Sequence, residues 1–273
     1  MNRIPAVFVD CLLAQLSDAA LSESKQLAGA YHHYTLKQIN REIFHVCLPS
    51  HGSTSRYQVS RTNAFRRLIV EVRREDCSAD AQAEKWIKAL QFNVYDFYLF
   101  LGTTDINEKF LSQTVGWNIR SLHIRYELSH TTHRLLSKLV ARQQLRTLTL
   151  RNSTMTHPLL LLCASLVFQR QFEVLQTKYF CWPVYQEWLN YADALKGKTI
   201  IYTTWTSSTT VNYTDKFKKT GECSHEGAYT RSFELEHPNG YKFVFKCTGE
   251  ERMKRAPDRL FVNLCEKKEI KFM

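Results

Sequence analysis

Glycine and proline are scarce, at nine and six in 273 residues. That leaves too little of either for a collagen-like, low-complexity or long linker segment. The glycine patterns that cradle phosphates are missing as well. Neither G-x-G-x-x-G nor G-x-x-x-x-G-K-[ST] occurs, and neither does G-x-S-x-G or H-E-x-x-H. The chain therefore reads as non-catalytic, with no cofactor implied. No C-x-x-C is present either: Cys11, Cys47, Cys77, Cys163, Cys181, Cys223, Cys247 and Cys265 are scattered. Several sit in apolar runs, as free, reduced, buried thiols do. Long hydrophobic runs are absent too. The longest, Leu159 to Phe168, is about half of the roughly 18 residues that span a bilayer. With no cleavable signal pattern at its start, the chain is expected in the cytoplasm or nucleus, away from membranes.

What is present is an ordinary globular composition, 44% hydrophobic and 23% charged, with a net charge of +11. Such a surplus favours acidic partners, among them nucleic acid. The charge is spread out, however. Its densest stretches are Arg66, Arg67, Arg73 and Arg74, and then Arg252, Lys254 and Arg255.

Residues 4–48 read as helical, in segments of which the third runs from Leu36 to Leu48 and is stopped by Pro49 and Gly52. Residues 57–74 read as extended, and Ser78 as the N-cap of a helix carrying Trp86 and Leu90 on its apolar side. Beyond Tyr179 the spacing of Val184, Trp188, Leu189 and Ala192 predicts a helix, with Gly197 as its C-cap. A strand at Ile200–Trp205 follows. Two alternating runs, Thr230–Glu236 and Tyr241–Cys247, flank His237-Pro-Asn-Gly240 and predict a hairpin. A last strand is expected at Arg259–Leu264.

The strongest pattern is a repetition. Ile119-x-x-Leu122-x-Ile124 and Leu145-x-x-Leu148-x-Leu150 are near copies, 26 residues apart. Val94-x-x-Phe97-x-Leu99 precedes them in the same form, and Phe172-Glu-Val-Leu175 is a partial copy behind. Helical segments at 107–115, 131–142 and 159–168 follow the first three. A strand and a helix every 25 to 27 residues lie within the leucine-rich-repeat range. The apolar positions would plug the stack, and the intervening ones would face outward. The asparagine ladder common in such stacks is mostly missing.

Isolated chemistry-bearing pairs are read as surface. Cys223-Ser-His225 lies in a predicted polar loop without a second ligand pair. His130 and His133 share a helix face but lack a third donor. No metal site is expected. In Tyr241–Lys246 the rings and lysines alternate, as on a half-buried strand rather than a base-stacking platform.

The opening segment resembles a degenerate F-box. Ile4-Pro5, Val7-Phe8-Val9, Leu12-Leu13 and Leu16 follow the order of that motif's first helix, with Ala30-Tyr31-His32-His33 where it usually has Cys-Arg-x-Trp. With the repetition behind it, the chain looks like the divergent nematode F-box and F-box-associated proteins. The resemblance implies docking of Ile4, Pro5, Val7, Phe8, Leu12 and Leu13 on a Skp-type adaptor of a cullin-RING ubiquitin ligase. The repeats would then select a substrate protein.

The expected fold is thus α/β: a short leucine-rich-repeat-like strand–helix stack with an N-terminal helical module and a C-terminal antiparallel β cap. The expected divisions are 1–48 for the F-box-like segment, 57–178 for the repeats and 179–273 for the helix and sheet. The expected function is protein–protein interaction, with basic nucleic-acid binding as the alternative. The partner-facing positions would be Tyr95, Asp96, Tyr98, Arg120, His123, Arg146 and Thr149.

Overall fold

The structure, a computed structural model, describes residues 42–48, 56–58, 65–92, 94–179, 184, 187–188, 190–204 and 218–273. The F-box-like residues Ile4 to Leu13 lie outside them. The fold is mixed α/β with antiparallel C-terminal strands, and it divides into two compact units. The first is Met1–His123 with Leu128–Lys138, and the second is Ile124–Glu127 with Leu139–Met273.

In the first unit, but for the last residue of β5, strands β1 (Glu42–Leu48), β2 (Arg56–Gln58), β3 (Phe65–Val72), β4 (Asp96–Leu101) and β5 (Ser121–Ile124) lie in the order β2-β1-β3-β4-β5. β1, β3 and β4 are parallel, with Phe44 opposite Leu68 and Leu68 opposite Phe97. β2 runs antiparallel on β1.

The helix expected through Leu48 is replaced by β1. Phe44, Val46 and Leu48 are buried, whereas His45 and Cys47 are half-buried on the other face. That period of two in an aromatic and β-branched run is a strand's, and tertiary pairing with β3 realises it.

Helix α1 (Ala81–Leu90) follows β3, and α2 (Glu108–Thr114) follows β4. The N-cap of α1 is Asp80 rather than Ser78: its Oδ1 accepts from Ala83 N at 2.7 Å. The buried side of α1 is Ala83 and Ile87. Trp86 remains 39% exposed while its ring lies 5.4 Å from Phe44. Asn107 caps α2 through Phe110 N at 2.7 Å, and its Nδ2 donates to Cys77 O at 2.9 Å and Glu75 O at 3.1 Å. Gln113 clasps Ala79 by donating to its carbonyl and accepting from its N–H. Gly102 ends β4 by donating to Val72 O at 2.7 Å. A Cβ there would stand 3.2 Å from that oxygen and 2.9 Å from the Phe100 ring, so a side chain could enter only by displacing the ring.

Helix α3 (His130–Ala141) comes next in the chain. In the second unit, β6 (Thr147–Leu150), α4 (His157–Val167), β7 (Val174–Tyr179), α5 (Ala192–Leu195) and β8 (Thr199–Thr204) continue the strand–helix alternation. β6, β7 and β8 are parallel, with Leu148 opposite Leu175 and Leu175 opposite Ile200. Leu148 is fully buried. Leu148→Ala is expected to lower stability by about 2–5 kcal/mol, read from urea denaturation.

The sheet then turns antiparallel, in the order β8-β12-β11-β10-β9. These strands are β9 (Lys218–His225), β10 (Ala228–Glu236), β11 (Lys242–Glu250) and β12 (Lys267–Phe272). The expected hairpin is β10–β11, with Glu236 opposite Lys242 and Gly240 in the left-handed region at φ 81. Phe233, Phe243 and Phe245 are buried along it.

Two expectations fail in this unit. Arg259–Leu264 is not a strand but helix α6 (Asp258–Leu264). Its buried positions, Phe261, Val262 and Cys265, have helical spacing, and Pro257 precedes its first turn. The last strand is instead β12, where Lys268, Ile270 and Phe272 are buried in alternation. The charge of Lys267-Lys268-Glu269 concealed that period. Lys268 buries its stem and donates from Nζ to Cys265 O at 2.8 Å. Cys223-Ser-His225 likewise lies on the exposed edge strand β9, not in a loop.

Candidate functional site

In the first unit, alternate residues of the parallel strands emerge on the sheet face opposite the buried side chains. β1 contributes His45 and Cys47, β3 contributes Arg67, Ile69 and Glu71, and β4 contributes Asp96, Tyr98 and Phe100. All are half-buried. The pairing register sets Cys47 opposite Glu71 and Glu71 opposite Phe100, one step from His45 opposite Ile69 and Ile69 opposite Tyr98. In parallel strands directly opposed residues share a face, so neighbouring side chains form rows across it.

Two groupings result. One is aromatic: the His123 ring, from β5, lies 4.8 Å from Phe100 and 6.3 Å from Tyr98. Below it Asp96 accepts from Ser121 Oγ at 2.7 Å and pairs with Arg67 Nε at 3.7 Å. The other is a polar triad. His45 Nε2 lies 3.2 Å from Glu71 Oε2, Cys47 Sγ donates to that oxygen at 3.5 Å, and Cys47 Sγ is 3.7 Å from His45 Nε2. Arg73 grips Glu71 through both carboxylate oxygens, Nε to Oε1 at 2.9 Å and Nη2 to Oε2 at 2.9 Å. That guanidinium holds the Glu71 carboxyl below its ordinary pKa, assisted by the thiol. Burial, with the adjacent Glu71 carboxylate, pushes the Cys47 thiol above its ordinary value.

The positions expected to face a partner are placed as follows. Tyr95, Asp96, Tyr98, Arg120 and His123 are half-buried in the first unit. Tyr98 and His123 share the aromatic grouping. Arg120 is engaged by its own fold, its guanidinium donating to Tyr95 O and its N–H to Phe97 O. Arg146 and Thr149 belong to the second unit. Arg146 is half-buried, its carbonyl accepting from Glu173 N and Val174 N, and Thr149 is buried at 7% exposure.

Sequence reasoning passed over His45, Cys47, Glu71 and Phe100. The alternation of Ile43–Leu48 carried a signal, since it sets histidine and cysteine two apart on one strand face. The pairing of β1 with β3 brings Glu71 to them. Of the cysteines among the described residues, Cys77, Cys163, Cys247 and Cys265 are buried and in no disulfide, while Cys47 is half-buried and Cys223 exposed. No helix among the described residues is long and apolar enough to cross a membrane.

Compared with known proteins, the chain matches no family model, no curated protein and no solved structure.

Proposed function

We propose that the chain is a binding module without catalytic chemistry of its own, assembled as a short leucine-rich-repeat-like stack whose sheet face takes a protein partner. The observation that carries this reading is that buried strand partners stand 24 to 29 residues apart, about one repeat unit, in both units. Phe44, Leu68 and Phe97 meet in turn in the first unit, and Leu148, Leu175 and Ile200 in the second. Side-chain bonds span similar steps, of 25 to 29 residues. Ser121 reaches Asp96, Arg134 reaches Glu108, Ser153 reaches Tyr126, and Gln169 reaches Val140. A chain in which each unit bonds mainly to the next is what a solenoid requires. Asn107 and Gln113, bridging to the preceding turn, serve where an asparagine ladder would. The antiparallel strands β12 to β9 act as the cap in this reading, since they continue from the last parallel strand.

The F-box resemblance gives the reading its most specific form. Ile4, Pro5, Val7, Phe8, Leu12 and Leu13 dock on a Skp-type adaptor, and the sheet face selects a substrate for a ubiquitin ligase. The alternative, a nucleic-acid-binding protein, rests on the net charge of +11 alone. On the hairpin, Phe243 and Phe245 are buried, which leaves no stacking platform there.

Recovery of partners on the immobilised full chain, read by mass spectrometry, tests the proposal. Arg146→Glu, in a chain whose circular dichroism shows it still folded, is expected to reduce substrate recovery to background, because it reverses the charge offered to an acidic segment. Leu12→Asp is expected to remove the adaptor alone. Undiminished substrate recovery on the charge-reversed chain rules this face out. Loss of all binding on raising salt, with nucleic acid in the eluate, favours the alternative.

A further inference from the structure

We propose that His45, Cys47 and Glu71 form a three-ligand site for a zinc-type divalent cation on the sheet face of the first unit. The proposal is independent of which partner the module takes.

The argument begins with local geometry. His45 and Cys47 are two apart on β1, so both project to the same face, and register sets Glu71 directly opposite Cys47 on β3. One ligand atom from each lies within 4.8 Å of the other two. Their separations are 3.7 Å from sulfur to nitrogen, 3.5 Å from sulfur to oxygen and 3.2 Å from nitrogen to oxygen. In tetrahedral zinc sites the bonds are about 2.3 Å to thiolate and about 2.0–2.2 Å to imidazole and carboxylate. Those bond lengths give ligand–ligand edges of roughly 3.3–3.6 Å. The three donors stand within about 0.1 Å of such edges, so an ion can seat with little movement of the backbone.

The donor set selects the metal class. One sulfur, one imidazole and one carboxylate suit borderline-soft cations, whereas calcium requires six to eight oxygens and magnesium an octahedral oxygen shell. The carboxylate is also oriented from behind, since Arg73 holds both of its oxygens. Hydrogen-bonded ligands of this kind are the usual outer shell of a metal site. His45 is 28% and Glu71 16% exposed, so solvent reaches the ligands and can supply a fourth donor. Water completes the shell there, or a donor from whatever docks on the face. On binding, the thiol proton of Cys47 leaves to solvent and the sulfur lone pair forms the bond to the ion, leaving the thiolate coordinated.

The competing account is a hydrogen-bonded polar triad that binds no metal. The test uses the full chain, stripped with chelator, titrated with Zn²⁺ against a chromogenic chelator and with Co²⁺ by absorption. The expected result is one equivalent that Cys47→Ser abolishes and Cys223→Ser leaves intact. The Co²⁺ adduct is expected to show a tetrahedral spectrum with a thiolate charge-transfer band that Cys47→Ser removes. Arg73→Gln is expected to weaken binding by about 10–100-fold. Should Cys47→Ser lose its circular dichroism, His45→Gln and Glu71→Gln are read in its place. The assignment is overturned if the wild type binds no equivalent, if folded variants at these positions retain it, if the cobalt band is absent, or if Cys223→Ser abolishes it.

Discussion

Trp117→Ala is expected to lower the unfolding free energy by about 3–5 kcal/mol, which would place it among the most damaging single substitutions in the chain. Trp117 is fully buried in the turn between α2 and β5. Its ring lies 5.6 Å from Phe110 in an edge arrangement and 5.9 Å from Phe97, so it couples the helix to the strand before it. The backbone N–H of Trp117, which the substitution keeps, closes the end of α2 by donating to Thr114 O at 3.1 Å. Truncation removes the transfer term and leaves a cavity between two aromatic rings, which can collapse only by moving α2. Urea denaturation checks this through a lowered midpoint at unchanged slope. Val115→Ala is the control. At 52% exposure it is expected to stay within about 0.5 kcal/mol of the wild type. A Trp117→Ala midpoint no lower than the control's would mean that this cluster does not hold α2.

The second large effect is electrostatic. Lys198 is 6% exposed, and its Nζ donates to Gln169 O at 2.7 Å, to Arg170 O at 3.1 Å and to Phe172 O. These carbonyls close the segment between α4 and β7, where helical bonding ends. Lys198→Met keeps the stem and removes the donors, so the buried Phe172 O goes unmet and the part-buried Gln169 O and Arg170 O lose a partner, at a cost of about 1–3 kcal/mol. Burial also holds the Lys198 pKa below its ordinary value, with the nearby Glu173 opposing in part. The folded state therefore binds fewer protons than the unfolded state between the lowered value and the ordinary one of about 10.4. Across that alkaline window the wild type should gain stability relative to Lys198→Met as pH rises, because the charging penalty disappears. Denaturation of both proteins at neutral and alkaline pH measures the difference. A gap that stays constant or narrows with pH would contradict this account of Lys198.

The strand–helix alternation was legible because it is local. Phe97, Leu122, Leu148 and Leu175 recur at an even step, each in an apolar-x-x-apolar frame; the first three strands lie within two residues of the expected bounds, and the fourth runs four residues past Leu175. The hairpin at Gly240 was legible for the same reason: the turn chemistry sits between its own strands. The misread elements are those whose local pattern has two readings. Ile43–Leu48 is apolar enough for a buried helix or a strand. Asp258–Leu264 contains Leu260, Phe261 and Val262 in a row, which a propensity argument takes as strand. In both, burial chose the period: two where β3 pairs with β1, and helical where Phe261 packs edge-on to Tyr229 at 5.5 Å.

The candidate site divides along the same line. The sequence alone determined that Tyr98 and His123 occupy alternate strand positions facing away from Phe97 and Leu122, because side chains on a strand alternate regardless of what pairs with it. It also set His45 and Cys47 two apart. Only tertiary structure decided that Glu71, its carboxylate gripped by Arg73 two residues on, stands beside them, and that Phe100 joins His123. The reason is that register between strands some 25 residues apart is fixed by which side chains the core accepts, and one step of slip would turn every one of these groups to the opposite face.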